Sequence, residues 1–313
     1  MLMCSDLSTC HVACVIPTRN GGNELKSLLA ALAFQRQSFD LFVIDSDSDD
    51  GSRELARSAG AEVLKIKASE FDHGGTRQKM VDKLDGYDIC VFLTQDAIPA
   101  NEHALQKLVA CFSDDSVGAA YGRQLPKDNA TPFSSFLRIF NYPACSRRQS
   151  LSSVPTLGMK TVFMSNSFSA YRRSALQSIG GFPDNVILGE DVYAAARLIE
   201  NGWEIAYVAE AECYHSHNYS IVQEWRRYFD IGVFYGREHW IQQRFGGAGG
   251  EGLRFVVEEL SYLSHGYKRL WFFSLIRNYG KYVSYRLGKS EHLLPLRIKK
   301  SLSMHCGFWE KVD

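Results

Sequence analysis

The sequence of 313 residues predicts an α/β protein with a mostly parallel sheet flanked by helices. Three observations predict this class. Short apolar runs alternate with helical patterns through the first 120 residues, polar loops follow four of these runs, and no apolar run approaches the roughly 20 residues of a membrane-spanning helix. Such alternation is typical of parallel sheets, because each helix carries the chain back to the start of the next strand.

The predicted strands of this first part are short apolar runs that end in polar turns. They are Val12–Ile16, Leu41–Ile44, Glu62–Ile66, Ile89–Leu93 and Val117–Tyr121. Leucine spacing and capping residues predict helices between these strands. The helices are Leu25–Leu32, Ser52–Ala59, a stretch from about Thr76, and Asn101–Phe112.

The second part of the chain has a less regular pattern. Residues 124–160 hold several Pro and Ser with weak periodicity, so we expect a long, adaptable connection there. Regular elements are expected again from about Thr161. They are a short helix at Ala175–Ile179, a helix at Asp191–Glu200, a strand at Glu204–Val208 and an amphipathic helix at Gln223–Trp240. The glycine-rich stretch Gly246–Gly252 predicts a domain boundary, with a domain at 1–245 and a helical extension at 246–313.

Charge and cysteine content narrow the classes of partner and compartment. Lys+Arg and Asp+Glu are both 35, so the formal net charge is zero and nucleic acid is not an expected partner. Met1–Cys10 lacks a basic flank and an apolar core, so we predict no signal peptide and a cytoplasmic protein. The eight cysteines, without a C-x-x-C pair, are then expected to be reduced thiols.

The segment Gly266–Lys300 differs from the rest in composition. It carries nine Lys/Arg, one acidic residue (Glu291) and interleaved aromatic residues. Two interpretations stay open: a helix on an anionic bilayer surface, or a terminal helix packed on the main domain with a solvated basic face.

Four polar loops follow the predicted strands and leave the same edge of the sheet. They are Pro17–Asn20, Asp45–Asp50, Ser69–Arg77 and Thr94–Pro99. Ligands of open α/β sheets bind outside the carboxyl ends of the strands, so these loops are the predicted site.

The loop residues suggest recognition of a phosphorylated ligand. The Asp- and Ser-rich turn after the second strand has side chains that hydrogen-bond a nucleobase or ribose, although the same residues also make a capped turn. The pair Gly74-Gly75 predicts a close approach of the backbone to a ligand. Arg77, which follows it, is a cation that can face an anionic group or a base carbonyl of that ligand. Asp96 is a candidate ligand for a divalent cation on a diphosphate.

Two further groups lie downstream. Glu190-Asp191 begins a predicted helix, where the pair either complements the helix dipole or supplies a general base. His215 and His217 follow a predicted strand, and either could supply a metal nitrogen or contact phosphate.

The motifs, in their order, resemble the inverting glycosyltransferases of family two, which have the GT-A fold. The resemblance covers roughly residues 11 to 230 and rests on five motifs. They are Pro17-Thr18, the Asp-x-x-Ser-x-Asp-Gly pattern at 45–51, the small-residue strand Ser165–Tyr171 with Arg172-Arg173, Gly180-Gly181-Phe182, and Glu190-Asp191.

The segments Phe71–Arg77 and Leu93–Ala97 are similar to the rhamnosyltransferase branch of that family. This implies a dTDP-L-rhamnose donor and a glycan or glycolipid acceptor of bacterial surface polysaccharide, such as lipopolysaccharide core or O-antigen. One departure is that the usual Asp-x-Asp metal motif appears as Thr94-Gln95-Asp96, which makes a second ligand more important.

The resemblance implies a role for each matching residue, with a nucleotide-sugar half at about 11–122 and an acceptor and catalytic half at about 160–230. Asp191 is the expected base and Glu190 orients it or the acceptor. Asp96 holds Mg²⁺ or Mn²⁺ with His215 or His217. Trp225 and Arg226 are expected near acceptor or diphosphate. The expected nucleotide-sugar contacts are Pro17, Thr18, Arg19, Asp45, Asp47, Gly75, Arg77, Gln95 and Asp96.

Other functions stay open. The chain could use a different nucleotide sugar, act as a sugar nucleotidyltransferase, or bind a nucleotide sugar without catalysis. An inner-membrane surface is a further expected partner.

Overall fold

One curved sheet organises the molecule. A computed structural model describes residues 10–247 and 249–311. Cys4 and most of Met1–Cys10, the segment from which we predict that there is no signal peptide, lie outside the described residues. Within them the sheet order is β3-β2-β1-β4-β8-β6-β9-β5, and β7 pairs with β9. The strands are β1 (Val12–Thr18), β2 (Asp40–Ser46), β3 (Glu62–Ile66), β4 (Ile89–Leu93), β5 (Ile98–Pro99), β6 (Val117–Leu125), β7 (Arg147–Gln149), β8 (Phe168–Arg172) and β9 (Glu204–Tyr214).

Helices cover both faces of the sheet and extend beyond it at the carboxyl-terminal side. They are α1 (Gly22–Leu32), α2 (Ser52–Ser58), α3 (His73–Lys83), α4 (Ala104–Ala110), α5 (Pro132–Asn141), α6 (Val154–Leu157), α7 (Arg173–Ser178), α8 (Glu190–Glu200), α9 (Ile221–Arg237), α10 (His239–Phe245), α11 (Gly249–Ser264), α12 (Trp271–Lys289) and α13 (Leu296–Leu302). Two apolar clusters fill the space on the two sides of the sheet.

The first half of the sheet is parallel, as the alternating pattern predicts. β1 pairs in parallel with β2 and β4, and β2 pairs in parallel with β3. The second half is mixed, because β8 runs antiparallel to both β4 and β6, whereas β6 and β9 are parallel. The loops after β1, β2, β3 and β4 therefore share one edge.

The expected long connection at 124–160 is wrong. Residues 132–141 form α5, with Pro132 in its first turn and the Thr131 hydroxyl accepting from Ser134 N. Phe136 and Phe140, one helical turn apart, are buried. Three of the Pro and Ser residues that suggested a loop, Pro132, Ser150 and Pro155, stand at helix starts here, which is their other common role.

The carboxyl-terminal helices pack on the sheet domain through α9 and α12. A side chain at Gly280 would collide with the Trp225 ring, and one at Gly288 would collide with the Phe229 carbonyl. Glycine at these two positions lets the helices approach closely. The boundary at 245/246 remains a prediction. Among the described helices, none is long and apolar enough to cross a bilayer.

Candidate active site

A cleft of about 590 Å³ lies at the carboxyl edge of the sheet. Its walls come from the loops after β4 and β9, the start of α8, and the helices α5, α9 and α12. The volume is in the range of small-molecule sites. Six residues that the sequence analysis singled out line it together: Arg77, Asp96, Glu190, Asp191, His215 and His217.

Asp96 and the two histidines form a compact cluster on one wall. One ligand atom from each lies within 4.8 Å of the other two. His215 Nε2 lies 3.4 Å and His217 Nε2 3.7 Å from Asp96 Oδ2, and Lys127 Nζ lies 3.8 Å from the same oxygen. Asp96 and His215 are both buried. A carboxylate oxygen and two imidazole nitrogens at this spacing fit a divalent cation.

Gln124 and Arg138 surround Nδ1 of the His215 ring. The Gln124 amide donates to Ser165 Oγ at 3.1 Å, so its oxygen faces His215 Nδ1 at 2.8 Å and accepts from it. Arg138 donates to the same oxygen. Burial lowers the pKa of His215, and burial lowers the pKa of His217 to about 4. With the proton of a neutral His215 on Nδ1, the Nε2 lone pair would face the Asp96 carboxylate, and a cation between them would stabilise that arrangement.

The carboxylates of Glu190 and Asp191 differ in their partners. Glu190 Oε1 lies 3.0 Å from Arg77 Nη1 and accepts from Asn166 Nδ2 at 3.0 Å. Asp191 accepts only from backbone amides, those of Asn166 and Val192, at 3.2 and 2.8 Å. Arg77 thus neutralises Glu190, while Asp191 has no cationic partner among the described residues.

These different partners separate the pKa values of the pair. Burial, and then the charge of Glu190, raise the pKa of Asp191 to about 7. Burial opposes ionisation of Glu190 as well, but Arg77 lowers the pKa of this carboxyl below its ordinary value. Adjacent carboxyls whose pKa values are pushed apart are typical of an acid/base site, and here Asp191 is the group that accepts a proton near neutral pH.

The glycines before Arg77 serve packing within the protein. A Cβ at Gly74 would overlap the Pro183 carbonyl and lie 3.3 Å from the Glu190 Cβ. Gly75 N donates to the Asp72 carboxylate at 2.6 Å, which caps α3. The close approach that the glycine pair predicts is therefore made to the segment leading into α8, and it brings Arg77 to Glu190.

The loops after β1 and β2 are joined by hydrogen bonds and lie outside the cleft lining. Asn20 N donates to Ser48 Oγ and Gly21 N to Ser52 Oγ, both at 2.9 Å. Asp45 is fully buried, accepts from Ser48 N at 3.1 Å, and lies 3.6 Å from Arg53 Nε. Its other oxygen has no hydrogen-bond partner among the described residues.

The remaining predicted nucleotide contacts have partners within these loops. Asp47 is exposed, with Oδ2 accepting from Ala68 N at 2.9 Å and Oδ1 3.3 Å from Lys65 Nζ. Gln95 Oε1 accepts from Thr18 Oγ1 at 2.6 Å and from Arg19 N at 3.0 Å. Gln95 therefore joins the loop after β1 to the loop that carries Asp96. Pro17, the residue before Thr18, is paired with Ile44 in the sheet register.

The predicted acceptor residues lie beside the cleft, while their neighbour lines it. Trp225 Nε1 donates to the Arg277 carbonyl at 3.2 Å, and Arg226 is exposed. Arg227 lines the cleft. The one-residue difference follows from helical geometry, since successive side chains of α9 point about 100° apart.

Several cleft residues escaped the sequence analysis. Gln124 and Arg138 hold His215, and Asn166 holds both carboxylates. The Nε2 atom of His73 is buried and unpartnered among the described residues, and the His73 ring meets that of His305 edge-on at 4.9 Å. Gln124 and Arg138 belong to no short motif, whereas Asn166 lies in the motif Ser165–Tyr171 and His73 in the segment Phe71–Arg77, both singled out without naming these residues.

Residues after α13 complete one wall of the cleft. Met304 and His305 line it, and both of their backbone amides donate to Asp230 Oδ2, at 2.9 and 3.3 Å. Trp309 is buried against Phe229. The wall is therefore fixed to α9 by hydrogen bonds and by an aromatic contact.

Comparisons with known proteins agree with this architecture. The model of the family described as "Glycosyltransferase like family 2" matches residues 10–229. The O-antigen chain rhamnosyltransferase WbaN of Salmonella anatum is 44% identical over 303 residues, which cover 96% of each chain. RfbN of Salmonella typhimurium, also an O-antigen chain rhamnosyltransferase, is 43% identical, covering 96% of this chain and 97% of its own.

A solved structure shares the fold. The mannosyltransferase PcManGT of Pyrobaculum calidifontis, in complex with GDP-Man and Mn²⁺, superposes with a TM-score of 0.58 at 15% identity, over 96% of this chain and 85% of its own. The predicted α/β class with a GT-A sheet is confirmed by this likeness. From the family match and the two full-length relatives, the chain is a glycosyltransferase and belongs to family 2 of these enzymes.

Proposed function

We propose that the chain transfers L-rhamnose from dTDP-L-rhamnose to a hydroxyl of a bacterial surface glycan or a lipid-linked glycan, such as O-antigen or lipopolysaccharide core. Identity of 44% and 43% to two O-antigen chain rhamnosyltransferases, across nearly the whole chain, supports this choice of sugar and polysaccharide. Because this identity is high and extends over nearly the whole chain, it supports the choice of sugar as well as the transfer reaction.

The observation that carries the chemistry is that a proton acceptor and a cation site line the same cleft. Asp191, with its pKa raised to about 7, is the proposed base that takes the proton of the acceptor hydroxyl. Glu190, held by Arg77 and Asn166, keeps negative charge beside Asp191 and fixes the start of α8. Attack on the sugar carbon from the side opposite the diphosphate inverts the anomeric centre, so a β-linked donor gives an α-linked product.

Asp96, His215 and His217 are the proposed ligands of a Mg²⁺ or Mn²⁺ ion. When bound, the ion would offset the negative charge that grows on the leaving diphosphate. The imidazole nitrogens favour a transition ion such as Mn²⁺, because Mg²⁺ prefers oxygen ligands. Gln124 holds the His215 ring and leaves its Nε2 unprotonated for the ion.

The thymidine is proposed to lie against the loops after β1 and β2. The unpartnered Asp45 Oδ2 supports this, because a thymine imide N–H is a donor it could accept from. Pro17, Thr18, Arg19, Asp47 and Gln95 belong to the same loops. Gly75 and Arg77 remain proposed donor contacts, in addition to their packing on the α8 side. Trp225 and Arg226 remain proposed acceptor or diphosphate contacts.

Peripheral attachment to the cytoplasmic face of the inner membrane belongs to the same proposal. So does the division into a nucleotide-sugar half at about 11–122, an acceptor and catalytic half at about 160–230, and an extension from 246. The acceptor would enter along α5, α9 and α12, whose side chains form the outer part of the cleft.

The test is an assay of dTDP release from dTDP-L-rhamnose with Mn²⁺ and lipid-extracted glycan acceptors. We expect acceptor-dependent dTDP release and an α-rhamnosyl product. Release of UDP or GDP from other sugar nucleotides instead would be consistent with the family and would show that the proposed donor is wrong. Pyrophosphate release from dTTP and a sugar phosphate would indicate a nucleotidyltransferase, and donor binding without release of dTDP with any acceptor would indicate a binding module.

A further inference from the structure

Helix α12 has its apolar residues on the outside. Phe272 and Tyr279 are 69% and 71% exposed, and they lie two turns apart on the same face. Between and beyond them the exposed apolar positions follow helical spacing. The stripe consists of Phe272, Leu275, Ile276, Tyr279, Tyr282 and Val283. Such a continuous stripe is rarely left open on a monomeric protein and marks a contact surface.

The opposite face of α12 is polar and turned toward the protein. Ser274 and Asn278 donate to the buried Glu259 carboxylate. Arg277 lies 2.5 Å and Lys281 lies 3.5 Å from Glu224, and both basic side chains line the catalytic cleft. The helix is therefore amphipathic in the reverse sense of an ordinary surface helix, which buries its apolar side.

The charges around the stripe select its partner. Lys268, Arg269, Arg286 and Arg297 are exposed, whereas the acidic residue within 266–300, Glu291, is buried and paired with Arg237 and Lys299. Two copies of this face would bring like charges together. An anionic bilayer would meet both features, because its headgroups attract the cations while its interface accepts aromatic and aliphatic side chains.

We propose that the outer face of α12 docks on an anionic lipid bilayer, with the helix axis in the membrane plane. The inner face of the same helix lines the cleft, so docking holds the cleft about one helix diameter, ~10 Å, from the lipid surface. Aromatic rings would lie at headgroup depth and the basic side chains would reach the lipid phosphates. The docking specifies the surface for the peripheral attachment named in the proposed function, and its benefit for catalysis, access to membrane-held acceptors, rests on the proposed reaction.

Vesicle co-sedimentation of the full chain, without donor or metal, tests the docking. We expect binding to vesicles of phosphatidylethanolamine and phosphatidylglycerol, weakening as salt rises, and little binding to phosphatidylcholine alone. The combined variant Lys268→Glu, Arg269→Glu, Arg286→Glu should weaken binding by at least roughly 100-fold, because losing three basic residues that each contribute about a fivefold factor already gives that loss, and the added carboxylates are repelled as well.

A second variant tests the apolar part. Phe272→Ser with Tyr279→Ser should also release the protein from vesicles, while circular dichroism and the rate of dTDP release with a water-soluble acceptor stay unchanged. The matched controls are Phe34→Ser, a residue just after α1 that is 75% exposed, and Lys26→Glu, an exposed cation on α1. Both controls should bind like the parent protein.

Three results would overturn the docking. They are equal binding to neutral and anionic vesicles, loss of binding in the control variants, and a dimer that Phe272→Ser with Tyr279→Ser dissociates while no vesicle binding occurs. Because the measurement needs no turnover, an inactive protein that still binds vesicles would count against the proposed reaction and leave the docking intact.

Discussion

The loops after β1 and β2 and the wall around α8 and β9 both carry acidic residues at the edge of one sheet, yet they use them differently. In the first region Asp47 and Asp50 are engaged by the amides of neighbouring loops, Ala68 N and Gly22 N, each at 2.9 Å. In the second region Asp191 and Asp96 line a cleft. Asp191 lies beside the carboxyl of Glu190, whereas Asp96 lies beside two histidines and Lys127.

The difference separates acidic residues that join the loops of the scaffold from those that we propose as base and metal ligand. A carboxylate with several amide donors near solvent is stabilised as an ion and gains little from a ligand. A buried carboxyl beside another carboxyl has its pKa raised toward neutral pH, so it can take up and release a proton there. A carboxylate that faces imidazole nitrogens can bind a cation together with them. Substitutions in the two regions should therefore affect different measurements.

The largest effect is expected for Asp191→Asn. Loss of the base should lower the rate of acceptor-dependent dTDP release by about 10²–10⁴-fold, because general base catalysis contributes about that factor. Donor affinity measured by calorimetry should stay close to that of the parent. Asp184→Asn, an exposed carboxyl on the segment before α8, is the matched control and should keep full activity. Near-normal turnover of Asp191→Asn would remove the base assignment.

A smaller effect is expected at the residue that orients His215. Gln124→Ala should raise the Mn²⁺ concentration for half-maximal activity by about 10–100-fold, as for other groups that hold a metal-binding histidine. Saturating Mn²⁺ should restore most of the rate, because Asp96 and both histidines remain. Titration of activity with Mn²⁺ after chelator treatment measures this. An unchanged midpoint would show that the Gln124–His215 bond does not serve ion binding.

The pH dependence should identify the poised carboxyl. With the pKa of Asp191 raised to about 7, the rate should fall as the pH drops through this region, because the protonated carboxyl cannot accept the acceptor proton. Glu190→Gln removes a negative charge that raises this pKa, so the acid limb should move to lower pH. An acid limb that stays in place in Glu190→Gln would contradict the coupling of the two residues.

The smallest effect is expected in the scaffold loops. Ser52 is buried, accepts from Gly21 N at 2.9 Å and donates to Asp50 Oδ1 at 2.6 Å. Ser52→Ala should lower the free energy of unfolding by about 1 kcal/mol, measured by urea denaturation, and leave turnover at saturating donor unchanged. A large loss of turnover without a loss of stability would mean that this loop takes part in the chemistry.

Much of the parallel half of the sheet was readable from the sequence. β3 and β4 have the predicted bounds, and β1 and β2 extend only one or two residues beyond them, because apolar runs bounded by turns leave few alternatives. β9 was predicted too short: its second half alternates buried Ala211 and Cys213 with the more polar Glu210 and Glu212. Because Glu210 and Glu212 interrupt the apolar run, the predicted strand stops too early. The longer strand that the structure shows brings His215 beside Asp96.

The cleft was less readable because its properties depend on contacts between distant segments. Glu190 and Asp191 are adjacent and chemically alike, and nothing local indicates which of them stays ionised. Arg77 decides this by pairing with Glu190, and it reaches Glu190 because Gly74 packs on the Pro183 carbonyl. In the same way Gln124, a polar residue in β6 without a motif around it, contacts Nδ1 of His215 and orients its ring.

The hydrogen bonds from Met304 and His305 to Asp230 have a consequence for biosynthesis. Residues of α3, near the start of the cleft, leave the ribosome long before these two, so a nascent chain can form its sheet while one wall is still missing. A partly made chain would thus have an open cleft, in which Met304 and His305 do not yet limit the access of water.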